Sequence, residues 1–141
     1  MKRLFHLVPR AAWENFLASG RSELPSASLD EEGFVHLSFG PQLEGTLAAH
    51  FAGHGELVLV EVEGPGENDG LVLEPARGGH VFPHLYRPLR RTECARTWIL
   101  ATQDGAAWDL PHLGADPGFD EPPGNEGGTV RPPEGPNGPA T

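Results

Sequence analysis

The chain has a single cysteine, Cys94, among its 141 residues. A lone cysteine makes no internal disulfide and cannot build a cysteine cage for zinc. Nothing adjacent would clearly lower its thiol pKa, so Cys94 reads as a packing residue rather than a nucleophile. Long apolar runs are missing too. None approaches the roughly 18 residues of a membrane-spanning helix, and the start, Met1-Lys2-Arg3-Leu4-Phe5-His6, lacks the apolar stretch of a signal peptide. A cytoplasmic protein that does not use a membrane is the expectation. Basic charge is scarce: the net charge is −10, which argues against general nucleic-acid binding because phosphate contacts need a basic surface. There is no Gly-x-Ser-x-Gly elbow, no glycine-rich dinucleotide fingerprint and no Walker A loop.

Against these absences stand three histidines in similar settings. His6 lies in Leu4-Phe5-His6-Leu7-Val8, His36 in Gly33-Phe34-Val35-His36-Leu37-Ser38, and His84 in Phe82-Pro83-His84-Leu85-Tyr86. Imidazole titrates nearest neutral pH, so such groups at strand ends can do acid–base work, orient a ligand or hold a metal. His50 and His54 have the i, i+4 spacing of a helical metal pair, but Gly53 and Gly55 would end a helix there. The five arginines between Arg77 and Arg96, with Glu93 the only acid, form a +4 stretch in a chain whose remainder carries −14. That stretch is either a small anion site or a solvated strand edge.

The chain reads as one α+β domain over residues 1–112. Residues 2–8 form a strand ended by Pro9. A helix follows with Ala12, Trp13, Phe16 and Leu17 at helical spacing and Gly20 as its stop. Residues 21–32 read as a loop, and Gly33 to Ser38 as a short apolar segment. Pro41 opens a second helix with Leu43, Leu47, Ala48 and Phe51 on one face, capped by Ser38 or Gly40. Residues 56–63 form the clearest strand, a central one, with Glu61 and Glu63 facing solvent. Leu71 to Glu74 is a strand ended by Pro75. Phe82 to Leu89, with two prolines, is an irregular or edge segment, and Arg96 to Ala101 is the last strand. Residues 113–141 hold seven glycines and seven prolines and are expected to be a disordered acidic tail, unable to bury enough surface to offset ordering entropy.

Each site candidate has two readings. Ser38, two residues after His36, shares its face in a strand, or else it caps a helix. His36 faces anions at a helix start, or bonds backbone at a corner. Glu74 is a half-buried carboxylate with a raised pKa, or a strand-end charge paired with Arg77. His84 and Tyr86, with Phe82 and Arg87, suit stacking on a flat ring while Arg87 or Arg90 meets a negative group; alternatively the aromatics are core.

The order of these elements resembles an uncharacterised bacterial family, domain of unknown function 952. The resemblance runs over residues 2–112 and is carried by Phe5-His6, Trp13, Gly33-Phe34-Val35-His36-Leu37-Ser38, Leu73-Glu74-Pro75, Phe82-Pro83-His84-Leu85-Tyr86-Arg87-Pro88-Leu89 and Trp108-Asp109-Leu110-Pro111. It implies a fold like that of ADP-ribosyltransferases, with two small antiparallel or mixed sheets forming an NAD cleft between flanking helices. By strand order it puts His6, the His36/Ser38 pair, and Glu74 or His84 at functional positions. The implied function is an NAD- or nucleotide-binding, ADP-ribosyltransferase-like enzyme. His36, Glu74 and His84 would be catalytic; His6, Ser38, Tyr86, Arg87 and Arg90 would bind ligand; no metal is expected. The alternatives are a non-catalytic sensor of a small anionic metabolite and a metal-dependent hydrolase built on the three histidines.

Overall fold

The first strand, β1 (Leu4–Pro9), has large apolar residues at both parities, so both of its faces need cover. The computed structural model describes residues 3–76, 79–102, 108 and 110. After β1 come α1 (Arg10–Ser19), β2 (Glu23–Leu24), α2 (Ala27–Glu32), β3 (Val35–His36), β4 (Ser38–Phe39), α3 (Leu43–His50), β5 (Leu57–Val62), β6 (Leu71–Pro75), β7 (Val81–Leu85), β8 (Leu89–Arg90) and β9 (Cys94–Leu100). Among the described residues the strands make three antiparallel sheets, ordered β4-β1-β5-β9, β3-β7-β6 and β2-β8. The α+β class stands; the sheets number three rather than two, and none is mixed.

Two apolar clusters take the two sides of the four-stranded sheet. Leu4, Val8, Val58, Val60 and Val62 face Trp13 and Phe16 of α1 together with Val35, Leu71 and Leu85 of the three-stranded sheet. Phe5, Leu7, Leu57 and Leu59 face Leu43 and Leu47 of α3, with Leu100 and Trp108. Burying side chains of this size stabilises the fold by roughly 1.5–3 kcal/mol each. β5 lies between β1 and β9 with all six residues buried, as its near-continuous apolar run implies. Leu17, counted with the helical stripe, is half exposed.

Four local expectations need correction. Residues 21–32 are not all loop: they hold β2 and α2. α2 buries none of its residues fully and so carries no apolar stripe; its ends define it instead. The Ser26 hydroxyl accepts from the Leu29 N–H, and Gly33, at φ +93°, donates to the carbonyls of Ser28 and Leu29. Ser38 is no cap either. It is buried in β4, and the turn Gly40–Gln42 before α3 is closed by the Gln42 side-chain oxygen accepting from the Phe39 N–H at 2.9 Å.

Phe82–Leu85 is not an edge but part of β7, the centre of its sheet. Pro83 is tolerated because in an antiparallel ladder the N and C=O of one residue point to the same neighbour. The Pro83 carbonyl accepts from Leu37, just beyond the two-residue β3, so the missing N–H falls where that strand has ended. Glu61 does not face solvent. It is 2% exposed, held bidentately by Arg3 at 2.7 and 2.9 Å and met by Arg96 at 2.8 Å. Arg3, just before β1, and Arg96 on β9 bring cationic side chains from both sides, and the Arg3 bonds keep its carboxyl below the usual range. Glu63 is exposed as expected.

No described helix is long and apolar enough to cross a membrane. The expected tail, residues 113–141, lies outside the described residues.

Candidate functional site

The chain crosses from the three-stranded to the four-stranded sheet at Leu37, between β3 and β4. Beside that crossing lies a cavity of about 790 Å³. Volumes of this size hold a drug-sized molecule. His6, His36, Ser38 and His84 all line it, so the structure brings together four of the eight residues named from the sequence. Phe34, Thr46 and His50 complete the central wall.

Register explains the convergence. His36 of β3 is paired directly opposite His84 of β7, and their rings meet edge to face at 5.6 Å. Phe34 shares the face of His36, two residues on. It stacks on His84 at 4.1 Å and also meets His36 at 4.8 Å and Tyr86 at 5.2 Å. His50, at the end of α3, lies 6.2 Å from the His36 ring. Ser38 and His36 belong to different sheets, yet both reach the cavity, and the Ser38 hydroxyl pairs with that of Thr46 at 3.0 Å.

His6, His36 and His84 are each held by one nitrogen. His6 Nδ1–H donates to the His36 carbonyl at 2.9 Å, tying β1 to the crossing. Burial is the main cause that pushes the His6 pKa below its ordinary value, so the neutral form is favoured. His84 Nδ1–H donates to Glu74 Oε1 at 2.8 Å, and the Tyr86 hydroxyl donates to the same oxygen at 2.6 Å. Those two bonds, Tyr86 first, hold the Glu74 carboxyl below its ordinary range, and Glu74 in turn raises the Tyr86 phenol. The expectation of a raised Glu74 pKa is thereby corrected: the carboxylate is one-third exposed and doubly bonded rather than isolated. Arg77, the other partner the sequence offers Glu74, lies outside the described residues. His36 Nε2–H donates to Glu32 Oε2 at 3.3 Å.

The other nitrogens of two rings are left over. His36 Nδ1 and His84 Nε2 are buried and have no hydrogen-bond partner among the described residues. An unsatisfied buried polar atom costs about 1–3 kcal/mol, so each of these two calls for a specific reason.

Arg87 and Arg90 are not part of this wall. Arg87 bonds both oxygens of Glu93, at 3.0 and 2.7 Å, both of Asp69, at 3.2 and 2.7 Å, and the carbonyls of Asp69 and Pro88. Gly70, at φ +92°, lets the Arg87 stem pass; a Cβ there would sit 3.2 Å from Arg87 Cγ. Arg90 lies 3.5 Å from Asp69 and 3.9 Å from Glu93. Burial would raise the Glu93 carboxyl, but Arg87 and the Arg90 N–H outweigh it and lower it. Cys94, partly buried, has its thiol pushed up to about 11 by burial, in keeping with a packing residue.

Sequence reasoning missed Glu32 and Thr46, and treated Phe34 only as a flank of His36. The alternation Phe34-Val35-His36 was the available signal for Phe34. None existed for Thr46, whose approach to Ser38 is tertiary. Among the described residues no group of three or more His, Cys, Asp or Glu side chains is arranged to hold a metal ion. The three-histidine hydrolase therefore has no geometric support.

Comparison with known proteins bears on kinship rather than chemistry. A family described as "Protein of unknown function (DUF952)" matches residues 7–97. The crystal structure of protein CC0527 from Caulobacter crescentus is similar at 41% identity and a TM-score of 0.64, covering 74% of this chain and 91% of that one. The solution NMR structure of CC0527 is similar at 41% identity and a TM-score of 0.63, over 75% and 91%. No curated protein matches.

Proposed function

For a chain that belongs to the DUF952 family of unknown function, we propose that the cavity binds NAD or a related nucleotide and that the Glu74–His84 pair makes it an ADP-ribosyltransferase-like enzyme. One observation carries this reading: an imidazole oriented by a carboxylate, with its far nitrogen buried and unpartnered, in a residue that lines a cavity of about 790 Å³. A carboxylate bonded to Nδ1 fixes the tautomer, leaves the Nε2 lone pair as a base and stabilises the imidazolium that forms.

In the proposed step, His84 Nε2 accepts the proton of an acceptor hydroxyl or amine. The acceptor atom bonds to C1′ of the ribose, and the C1′–N bond to nicotinamide breaks with its electron pair passing to the ring nitrogen. No electrons enter or leave the system. Glu74 is a positioning residue here, since its carboxylate is spent on His84 and Tyr86 and it does not line the cavity.

That same placement favours a second reading, a binding module without turnover, because among the described lining residues no carboxylate other than Glu32 is available to face a developing cation. Titration calorimetry with NAD, followed by chromatography of the ligand, separates the two. Binding with slow release of nicotinamide supports the enzyme, and Glu74→Gln should then lower the rate by about tenfold or more. Binding with NAD recovered intact supports the module. The absence of heat at millimolar NAD defeats both.

A further inference from the structure

The site carries an obstacle to its own chemistry. His36 and His84 both line the cavity, yet His36 Nδ1 and His84 Nε2 are buried and have no hydrogen-bond partner among the described residues. A base must come within hydrogen-bond reach of the proton it takes. We infer that Phe34 is the gate of this site: its ring closes His84 off in the resting arrangement, and turning that ring away gives the ligand access to the imidazole. The inference rests on the reading above that His84 is the working base of a nucleotide site.

Contacts single out Phe34. Among the described residues two rings touch His84, and they touch it differently. His36 meets it edge to face at 5.6 Å, from the facing strand. Phe34 lies nearly flat on it, with 4.1 Å between centroids and 21° between planes. At that spacing a phenyl ring shields most of one face of an imidazole. The same phenyl meets His36 at 4.8 Å and Tyr86 at 5.2 Å. One side chain therefore lies against both rings that carry an orphaned nitrogen.

Tethering singles it out again. His36 and His84 are fixed by ladder pairing, and each bonds a carboxylate. Glu74 is held by two donors. Phe34 has no polar side-chain atom, is only half-buried, and stands outside the strands in the bend between Gly33 and β3. Its carbonyl accepts from the Ser28 hydroxyl at 2.9 Å, so the backbone can stay in place while the ring turns about its own side-chain bonds. Moving His36 or Glu74 would break hydrogen bonds, whereas moving the Phe34 ring breaks only aromatic contacts. Phe34 also lines the cavity of about 790 Å³, which gives the ring space. A gate and a stacking wall have opposite signatures. The cost of opening a gate is subtracted from affinity, so removing the ring tightens binding. A wall on which the ligand stacks adds affinity, so removing it weakens binding.

Diethyl pyrocarbonate, which acylates accessible imidazole nitrogens, tests the cover on the full chain, with each histidine read by peptide mass spectrometry. His54 is exposed and serves as the reference. In the parent, His84 should react more slowly than His54 by about tenfold or more. Phe34→Ala should raise the His84 rate by about tenfold or more. Phe34→Leu, which keeps bulk without a flat face, should raise it less, and Phe34→Tyr should restore the parent rate. Phe34→Leu decides the matter if Phe34→Ala fails to fold. A parent His84 as reactive as His54, or a rate unchanged by loss of the ring, overturns the inference. So does a rise present at about pH 6 but absent at about pH 8, which marks a shifted pKa rather than exposure. Calorimetry then separates gate from wall: the variant lacking the ring should bind NAD more tightly by about threefold or more, and equal or weaker binding overturns the inference. NAD binding to neither protein defeats the nucleotide reading instead, and the reactivity of His84 still decides whether Phe34 covers it.

Discussion

Two of the polar clusters in this fold are finished differently. Around Arg87, every guanidinium nitrogen donates, and both oxygens of Glu93 and of Asp69 accept. Around His36 and His84, each ring is satisfied on one nitrogen and orphaned on the other. The first arrangement costs nothing further in the folded protein and joins β6, β7 and β8 through their connecting segments. The second is left incomplete, its orphaned nitrogens buried in rings that line a cavity. Polar groups completed from within hold a fold, while polar groups left half-complete await something from outside.

The contrast can be broken most forcefully at Glu93. Replacing it with alanine leaves Arg87 mostly buried and short of its carboxylate, so Glu93→Ala should lose about 3 kcal/mol of stability in urea unfolding. A loss under about 1 kcal/mol would show that the cluster is not structural. Acid should act in the same direction. Glu93 and Glu61 are both depressed in the folded state. Their contribution is therefore complete above the unfolded carboxyl value of about 4.3 and falls away as pH drops through the lower folded values. Stability followed by circular dichroism should decline below about pH 4, and in Glu93→Ala that decline should be shallower.

A smaller effect is expected at Gly33, which turns the chain from α2 into Phe34 at φ +93° with open space around an added Cβ. Gly33→Ala should cost about 1 kcal/mol, all of it backbone strain. Chemical shifts at His84 should move with it, because Phe34 stacks there. Unchanged His84 shifts would mean that the stack does not depend on this turn.

The smallest stability effect should come from the imidazole that matters most for binding. His84→Phe removes a half-satisfied polar ring and keeps its bulk. Its stability should stay within about 1 kcal/mol of the parent, or rise, while affinity for NAD falls by about tenfold or more. If instead His84→Phe destabilises as much as Glu93→Ala, the two clusters are alike and the distinction collapses.

Much of the fold was legible along the chain. Continuous apolar character at residues 57–62 marked the central strand, Gly20 marked the end of α1, and Leu43 and Leu47 marked the face of α3 that packs. α2 was not legible because it buries no residue fully and is defined by its caps. Pro83 misled because its effect depends on which neighbour its nitrogen faces and where that neighbour ends. Glu61 misled because alternation cannot foresee one arginine arriving from just before β1 and another from β9.

The site shows the same boundary. Sequence alone determined that His36 and His84 are set among aromatics in short apolar segments, since local pattern and side-chain chemistry are properties of a few consecutive residues. Only the tertiary structure decided which groups share a wall and which hold a proton. It drew His6, His36 and His84 to one cavity and gave each a different acceptor, and it drew Arg87 and Arg90 away to Asp69 and Glu93. Hydrogen bonds and ion pairs of this kind depend on distances of about 3 Å between residues 4 to 30 positions apart, and strand register and the turns between elements set those distances.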